Sequence, residues 1–179
     1  MKNLLKYFLI AVLSLTTLAM VACDPEDPKP EVPEEPAINP ADYAESPLYM
    51  VSNEGRELTP GEVVVHAVTA DELADATVIE EFRLGNKTIS ALNTAVKMEM
   101  FYGPKSYSNV GICIGNCQSG TVPFTCSLVE MNPSEELNLE LEAFPEGDNE
   151  GYNSAIYKVT VGRDEELAEP FVFFLKLTF

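Results

Sequence analysis

Much of the chain after residue 45 alternates between apolar and polar side chains with a period of two. The pattern is clearest in residues 96–102, 137–143 and 171–179, where every second side chain is apolar. Successive side chains of a strand point to opposite faces, so this period predicts strands with one face against a core. Residues 62–69 read EVVVHAVT and are apolar on both faces. That composition predicts a strand in the centre of a sheet.

Turn-forming residues such as Gly103-Pro104 and Asn132-Pro133 separate these runs. The region near Asp71 to Ala76 predicts the one helix, and it is short. About eight or nine strands at this spacing predict an all-β domain, an antiparallel immunoglobulin-like β-sandwich over residues 46–179. An up-and-down barrel is the alternative fold.

The beginning of the chain has a different pattern. Lys2 and Lys6 precede an apolar run that is shorter than the roughly 20 residues of a membrane span. The run ends at Met20-Val21-Ala22-Cys23, which resembles the lipobox of bacterial lipoproteins. The resemblance implies that residues 1–22 are a signal peptide. It also implies that Cys23 becomes the mature N-terminus and carries acyl chains, palmitate among them, which anchor the protein in a membrane.

Residues 23–45 predict a tether. Between Asp24 and Glu45 there are eight acidic residues and one lysine, with six prolines. Such a segment repels itself and has little to bury, so it should be extended and disordered. The acids after the cysteine resemble a surface-export signal of Bacteroidota-type lipoproteins, although Asp24 also resembles the inner-membrane retention signal of enteric bacteria.

The order of signal, cysteine, acidic tether and one β-domain is similar to small Bacteroidota-type cell-envelope lipoproteins. The resemblance implies a lipid-anchored protein of the outer membrane, exposed at the cell surface or on the periplasmic face. The chain has 11 basic and 29 acidic residues, a net charge of −18. This charge argues against nucleic-acid binding and against docking on anionic lipid headgroups, so acyl chains on Cys23 are the expected membrane contact.

Three cysteines remain in the domain, and three pairings are open. Cys113 and Cys117 flank a tight turn at Gly115-Asn116, which favours a disulfide between them in an oxidising envelope. Cys126 would then be a small buried hydrophobe. A zinc site that uses these cysteines and His66 has enough ligands, but its spacing matches no common structural motif, so no metal or other cofactor is expected.

Catalytic signals are weak, and we expect no enzyme. His66, the one histidine, lies in the apolar segment 62–69, where a packed or edge-exposed side chain is favoured over a general base. No common motif for a nucleophile, a zinc protease or a phosphate loop is present. The acidic loop 146–151 lacks the ligand spacing of an EF-hand, so an ordinary turn is favoured over a calcium site.

Aromatic side chains near Gly103-Pro104 are the candidates for ligand contact, namely Tyr102 and Tyr107. We therefore expect a non-enzymatic binding or accessory module that holds a glycan, peptide or protein ligand at the surface. The alternative is a fimbrial or adhesin subunit that assembles by strand addition. A surface hydrolase is less favoured.

Overall fold

The computed structural model describes residues 31–179, so the predicted signal peptide and Cys23 lie outside the described residues. The chain divides into two units, Met1–Pro33 and Glu34–Phe179, and the description below concerns the second unit. Within the described residues, no helix is long and apolar enough to cross a membrane.

Residues 31–179 form eleven strands in two packed sheets. In chain order the strands are β1 (Leu48–Ser52), β2 (Val63–Ala67), β3 (Val78–Asn86), β4 (Leu92–Tyr102), β5 (Asn109–Ile114), β6 (Asn116–Thr121), β7 (Phe124–Thr125), β8 (Val129–Met131), β9 (Glu136–Ala143), β10 (Ser154–Arg163) and β11 (Ala168–Thr178). The first sheet has the order β1-β3-β9-β5-β6. The second has the order β2-β11-β10-β4-β7, with β8 also paired to β4.

The predicted immunoglobulin-like β-sandwich is confirmed, and the barrel alternative is wrong. Strands β4, β9 and β11 follow the predicted period of two, with inward side chains such as Met98, Leu141 and Phe173 buried between the sheets. Full burial of a side chain of this kind contributes about 1.5–3 kcal/mol. The strand count exceeds eight or nine partly because β7 and β8 have two and three residues, too few to show a period.

The predicted position of residues 62–69 is wrong. Strand β2 lies at the edge of the second sheet, and its one neighbour is β11. The two strands are parallel, with Val63 opposite Phe174 and Ala67 opposite Thr178, so the sandwich is not purely antiparallel. A central position therefore does not explain why both faces of β2 are apolar. Val64 packs on the main core, whereas Val63 packs on a second cluster on the outer face of the sheet.

The one predicted helix is confirmed as α1 (Ala70–Ala74), directly after β2. Thr69 is its N-cap. The Thr69 hydroxyl accepts a hydrogen bond from the Glu72 backbone N–H, and the Glu72 carboxylate accepts one from the Thr69 backbone N–H. This capping box satisfies two backbone donors and begins the helix immediately after the strand.

Residues 35–46 lie along the outer face of the second sheet. The Glu35 carboxylate accepts hydrogen bonds from Lys176 Nζ (2.6 Å) and Ser154 Oγ (3.1 Å). The ring of Tyr43 meets that of Phe174 edge-on at 5.6 Å, and Ile38 packs on the same cluster. This part of the predicted tether therefore covers apolar surface on β10 and β11.

Candidate functional site

Three of the four lateral sheet edges in residues 31–179 are covered, very short or polar. At β1, residues 57–58 pair back along the outer side, because Leu58 N–H donates to Met50 C=O and Val51 bridges Glu57. At the far side of the second sheet, β7 and β8 share the edge of β4 and are very short. At the far side of the first sheet, β6 is polar and is joined to β5 by a disulfide. Short, polar or covered edges resist pairing with other chains.

The fourth edge is β2, and no other described residue pairs with its outer side. Toward β11 the ladder is complete at both ends: Phe174 N–H donates to Glu62 C=O at 2.8 Å, and Val68 N–H donates to Thr178 C=O at 2.9 Å. Backbone groups of a strand alternate between its two sides, so the even-numbered residues of β2 face β11.

The odd-numbered residues Val63, Val65 and Ala67 consequently turn their N–H and C=O groups away from the sheet. No backbone hydrogen bond joins these groups to another residue of the described domain. Val65 is 59% exposed. This strand therefore offers a row of unsatisfied donors and acceptors beside exposed apolar surface.

A groove of about 310 Å³ runs beside this edge. It lies between β2 and the turn that follows β1. Its lining consists of Ser52, Asn53, Glu54, Arg56, Glu80 and residues 63–67 of β2. Strand β1 ends at Ser52, opposite Phe82, so it does not extend beside the first residues of β3. The groove occupies the end of the sandwich where a longer β1 would have lain.

His66 closes the inner wall of the groove. Its Nδ1 lies 2.6 Å from Glu80 Oε2 on β3, and its Nε2 lies 2.9 Å from Glu72 Oε1 on α1. This His66–Glu72–Glu80 clasp joins β2 to the other sheet and to the helix.

Carboxylates dominate the charge around the groove. Burial raises the pKa of Glu62, but hydrogen bonds from Arg56 and from the Thr59 backbone outweigh burial and hold it below its usual value. The Arg56–Glu62 pair, 2.5 Å apart, is therefore neutral overall. Glu54 adds a negative charge, and the clasp has two carboxylates for one imidazole. The groove is thus acidic at neutral pH.

The predicted disulfide is confirmed: Cys113 and Cys117 are bonded across β5 and β6. Cys126 is free and buried, and its sulfur accepts a hydrogen bond from Val96 N–H at 3.3 Å. Burial raises the pKa of the Cys126 thiol. None of these sulfurs is placed as a zinc ligand with His66, whose two ring nitrogens contact glutamates.

One group in the described residues has the close spacing of metal ligands. Cys113 Sγ and carboxylate oxygens of Glu140 and Glu142 lie within 4.8 Å of one another on the outer face of the first sheet. The sulfur is already bonded to Cys117 and cannot act as a thiolate. Two half-buried carboxylates remain, and they are not by themselves a metal site.

The structure separates the two tyrosines that were predicted to contact a ligand. Tyr107 is fully buried and stacks on Phe179, with ring centroids 4.7 Å apart, so it cannot meet a ligand at the surface. Tyr102 is half-buried and meets Tyr152 edge-on. Strand pairing shifts in register between Ile156 and Tyr157, and Tyr102 packs on the outer cluster instead of the core.

The acidic loop has the hydrogen bonds of a turn. Asp148 Oδ1 accepts from Glu150 N–H at 3.1 Å, and Tyr152 N–H donates to Asn149 C=O at 2.8 Å. Ser106 Oγ donates to Asp148 C=O and ties the loop to the segment after β4. These contacts are those of an ordinary turn.

Sequence reasoning missed the edge of β2 and the groove beside it. The segment EVVVHAVT has the composition of a strand with a neighbour on each side. That composition does not reveal whether both neighbouring strands belong to the same chain. Glu72 was also detectable, since Thr69-x-x-Glu72 is a capping-box pattern. Its contact with His66 depends on how the helix packs.

No protein-family model matches the chain, and no curated protein matches its sequence. Among solved structures, the N-terminal domain of PorA is similar, with a TM-score of 0.53 and 13% identity over 73% of this chain and 96% of that domain. A FixG-related protein from Vibrio parahaemolyticus follows at 0.42, with 10% identity over 73% and 93%. The collagen-binding domain of a Staphylococcus aureus adhesin reaches 0.35, with 9% identity over 76% and 99%. At these identities the similarity to PorA shows the fold, a β-sandwich, and nothing of function.

Proposed function

We propose that this protein is a lipid-anchored, non-enzymatic binding or accessory module of the bacterial outer membrane. The observation that carries the non-enzymatic part is the state of His66. Both ring nitrogens are engaged by glutamates, so neither is free to take a proton from a nucleophile or a water. The histidine serves the structure of the β2 edge.

Two further side chains support binding over catalysis. Cys126 is buried and its thiol pKa is raised, which opposes the thiolate form that a nucleophile requires. The hydroxyl of Thr69, three residues after His66, donates to Glu72 and caps α1. These groups stabilise local structure, whereas the groups left unsatisfied at β2 are suited to recognition.

The anchor is tested by detergent partitioning of the full chain. Wild-type protein should enter the detergent phase with an acylated Cys23, and Cys23→Ala should give a soluble or unprocessed form. Protease treatment of intact cells then distinguishes a surface location from a periplasmic one. Unchanged partitioning of Cys23→Ala would contradict the lipid anchor.

The non-enzymatic proposal needs a separate assay. Purified wild-type protein should not hydrolyse envelope glycans or peptides, and His66→Gln should change stability alone. Hydrolysis that a single Asp or Glu substitution abolishes would show an enzyme instead.

A fimbrial or adhesin subunit is the second candidate, and the open edge of β2 favours it. A subunit that assembles by strand addition needs an edge that accepts a strand. Native gels of cell-surface extracts would then show a ladder of multimers of this chain. A single monomeric band supports the binding module.

A further inference from the structure

The composition of β2 conflicts with its position at an edge. Its five residues, VVVHA, include three consecutive β-branched side chains and no lysine or proline. Edge strands of soluble proteins are normally protected from pairing by a lysine or a proline, by a bulge or by being very short. In residues 31–179, the edge at β1 is covered by the chain itself, the edge at β7 and β8 is very short, and β6 is polar and bonded to β5 by a disulfide. An unprotected edge with central composition indicates that a neighbouring strand is missing.

We infer that the missing neighbour is an extended segment of another protein, in which apolar side chains alternate with lysine or arginine. It pairs with the open side of β2 and lies over the groove. The inference deepens the binding function proposed above and rests on it, because it names the kind of partner that the module holds.

The backbone sets the length of this partner segment. Val63, Val65 and Ala67 each offer one N–H and one C=O to an added strand. Because β2 has five residues, the added strand needs about five, or roughly 17 Å of extended chain. A peptide backbone supplies donors and acceptors at the same repeat, which a glycan chain does not.

The side chains of the partner follow from the two faces of β2. On the outer face, Val63 and the exposed Val65 call for apolar neighbours. On the inner face, the added strand meets the groove beside His66. Its walls contain Arg56, whose charge is paired with Glu62, together with Glu54 and Glu80. Basic side chains at alternate positions complement that charge. The partner therefore reads apolar, basic, apolar, basic along its length.

A second copy of the chain fits the edge less well. Each copy has a net charge of −18, and pairing β2 with β2 would bring two acidic grooves together. Like charges at that distance oppose association. A basic segment from a different protein meets no such repulsion.

The test uses purified full-length protein and a synthetic peptide with blocked ends and the sequence VKVKVKV. Binding is followed by fluorescence anisotropy, and hydrogen exchange is followed at the backbone amides of β2. We expect binding, together with slower exchange at Val63, Val65 and Ala67. An alternating Val/Glu peptide should not bind. A VKVKVKV peptide that is N-methylated at alternate residues keeps its charge and should bind about tenfold more weakly.

Variants at the edge provide matched controls. Val65→Pro removes an outward N–H and should weaken binding of VKVKVKV about tenfold. Val65→Lys should weaken it as much, because it keeps the backbone donor but replaces the apolar contact on the outer face with a charge of the same sign as the peptide. Ser119→Lys places the same charge on β6 and should leave binding unchanged. Circular dichroism checks that each variant is folded. If Val65→Pro does not fold, the binding result for Val65→Lys is the test.

Three outcomes would overturn the inference. The first is no binding of VKVKVKV. The second is equal binding by wild type and Val65→Lys, which would place the peptide at another site, or equal binding by the N-methylated peptide, which would indicate charge attraction without strand pairing. The third is a concentration-dependent dimer of wild type that Val65→Lys abolishes, which would make the partner a second copy. Each leaves the anchor and the non-enzymatic assays unaffected, so failure here is separate from failure of the proposed function.

Discussion

Strands β2 and β6 are both edge strands, of five and six residues, but they differ in composition and in the contacts that hold them. The sequence of β6, NCQSGT, is polar, and most of its residues are exposed. The Cys113–Cys117 disulfide holds it to β5, and Gln118 accepts hydrogen bonds from Ser127. Strand β2 is apolar and is held from the inside by the His66–Glu72–Glu80 clasp.

The difference indicates that β6 is suited to remain an unpaired edge, whereas β2 is suited to accept another strand. The disulfide to β5 and the hydrogen bonds with Ser127 both join β6 to residues near it in the sequence. The strand has no exposed large apolar side chain that a partner could cover. At β2, the contacts of His66 hold the face of the strand that points into the sandwich. The opposite face has the exposed Val65, and the lateral side away from β11 has unpaired backbone groups. A strand that is rigidly positioned but unpaired on one side loses little entropy when another strand is added.

Breaking the clasp should have the largest effect on stability. Glu80 is buried, and Glu80→Ala leaves His66 without its partner on the opposite sheet. Hydrogen bonds to charged groups contribute about 1.5–3 kcal/mol, so the free energy of unfolding should fall by about 2 kcal/mol in urea titrations. Hydrogen exchange should show the greatest loss of protection in β2.

Glu81 is a matched control one residue away. It is exposed and lies directly opposite Glu140 on β9. Facing carboxylates repel, so Glu81→Ala should change stability by no more than about 0.5 kcal/mol, toward greater stability. Equal losses in the two variants would mean that His66 does not hold β2 in place.

Removing the disulfide should have a smaller effect, confined to β6. The closed loop is short, with cysteines four positions apart, so it constrains the unfolded chain less than a long loop would. We expect the double variant Cys113→Ser/Cys117→Ser to lose about 1–2 kcal/mol and to exchange faster in β6 alone. Reductant should lower wild-type stability to the same level and leave the variant unchanged. A peptide map that links Cys126 to either partner would contradict this assignment.

The parts of the fold that local sequence determines were predictable. The period of two in residues 137–143 and 171–179 identifies faces of β9 and β11 without reference to any other strand. The disulfide follows from the tight turn at Gly115, because that turn brings together two cysteines only four positions apart in the sequence. The helix follows from its short polar segment, and Thr69 and Glu72 supply the cap.

The site was not predictable, since it depends on contacts between distant residues. Whether β2 is central or at an edge is decided by its pairing with β11, which follows it by about a hundred residues. His66 reaches Glu80 because two sheets pack face to face, and the pattern around His66 contains no trace of that partner. The burial of Tyr107 likewise depends on Phe179 at the other end of the domain.

The smallest effect concerns Glu72, the part of the clasp that belongs to the helix. Burial raises the pKa of this carboxyl, but hydrogen bonds from Thr69 and the charge of His66 outweigh it and hold the pKa below its ordinary value of 4.5. A lowered pKa means that the ionised form stabilises the fold above pH 4.5, and that this contribution is lost as the pH falls through the folded value. Glu72→Gln should therefore cost about 0.5 kcal/mol at pH 7, and its difference from wild type should shrink as the pH falls below 4.5. Asp71→Asn removes a charge from the same first turn without touching His66 and is the control. If urea titrations across pH 3–7 gave the two variants the same pH dependence, Glu72 would act on the helix alone, and β2 would be held on its inner side by Glu80.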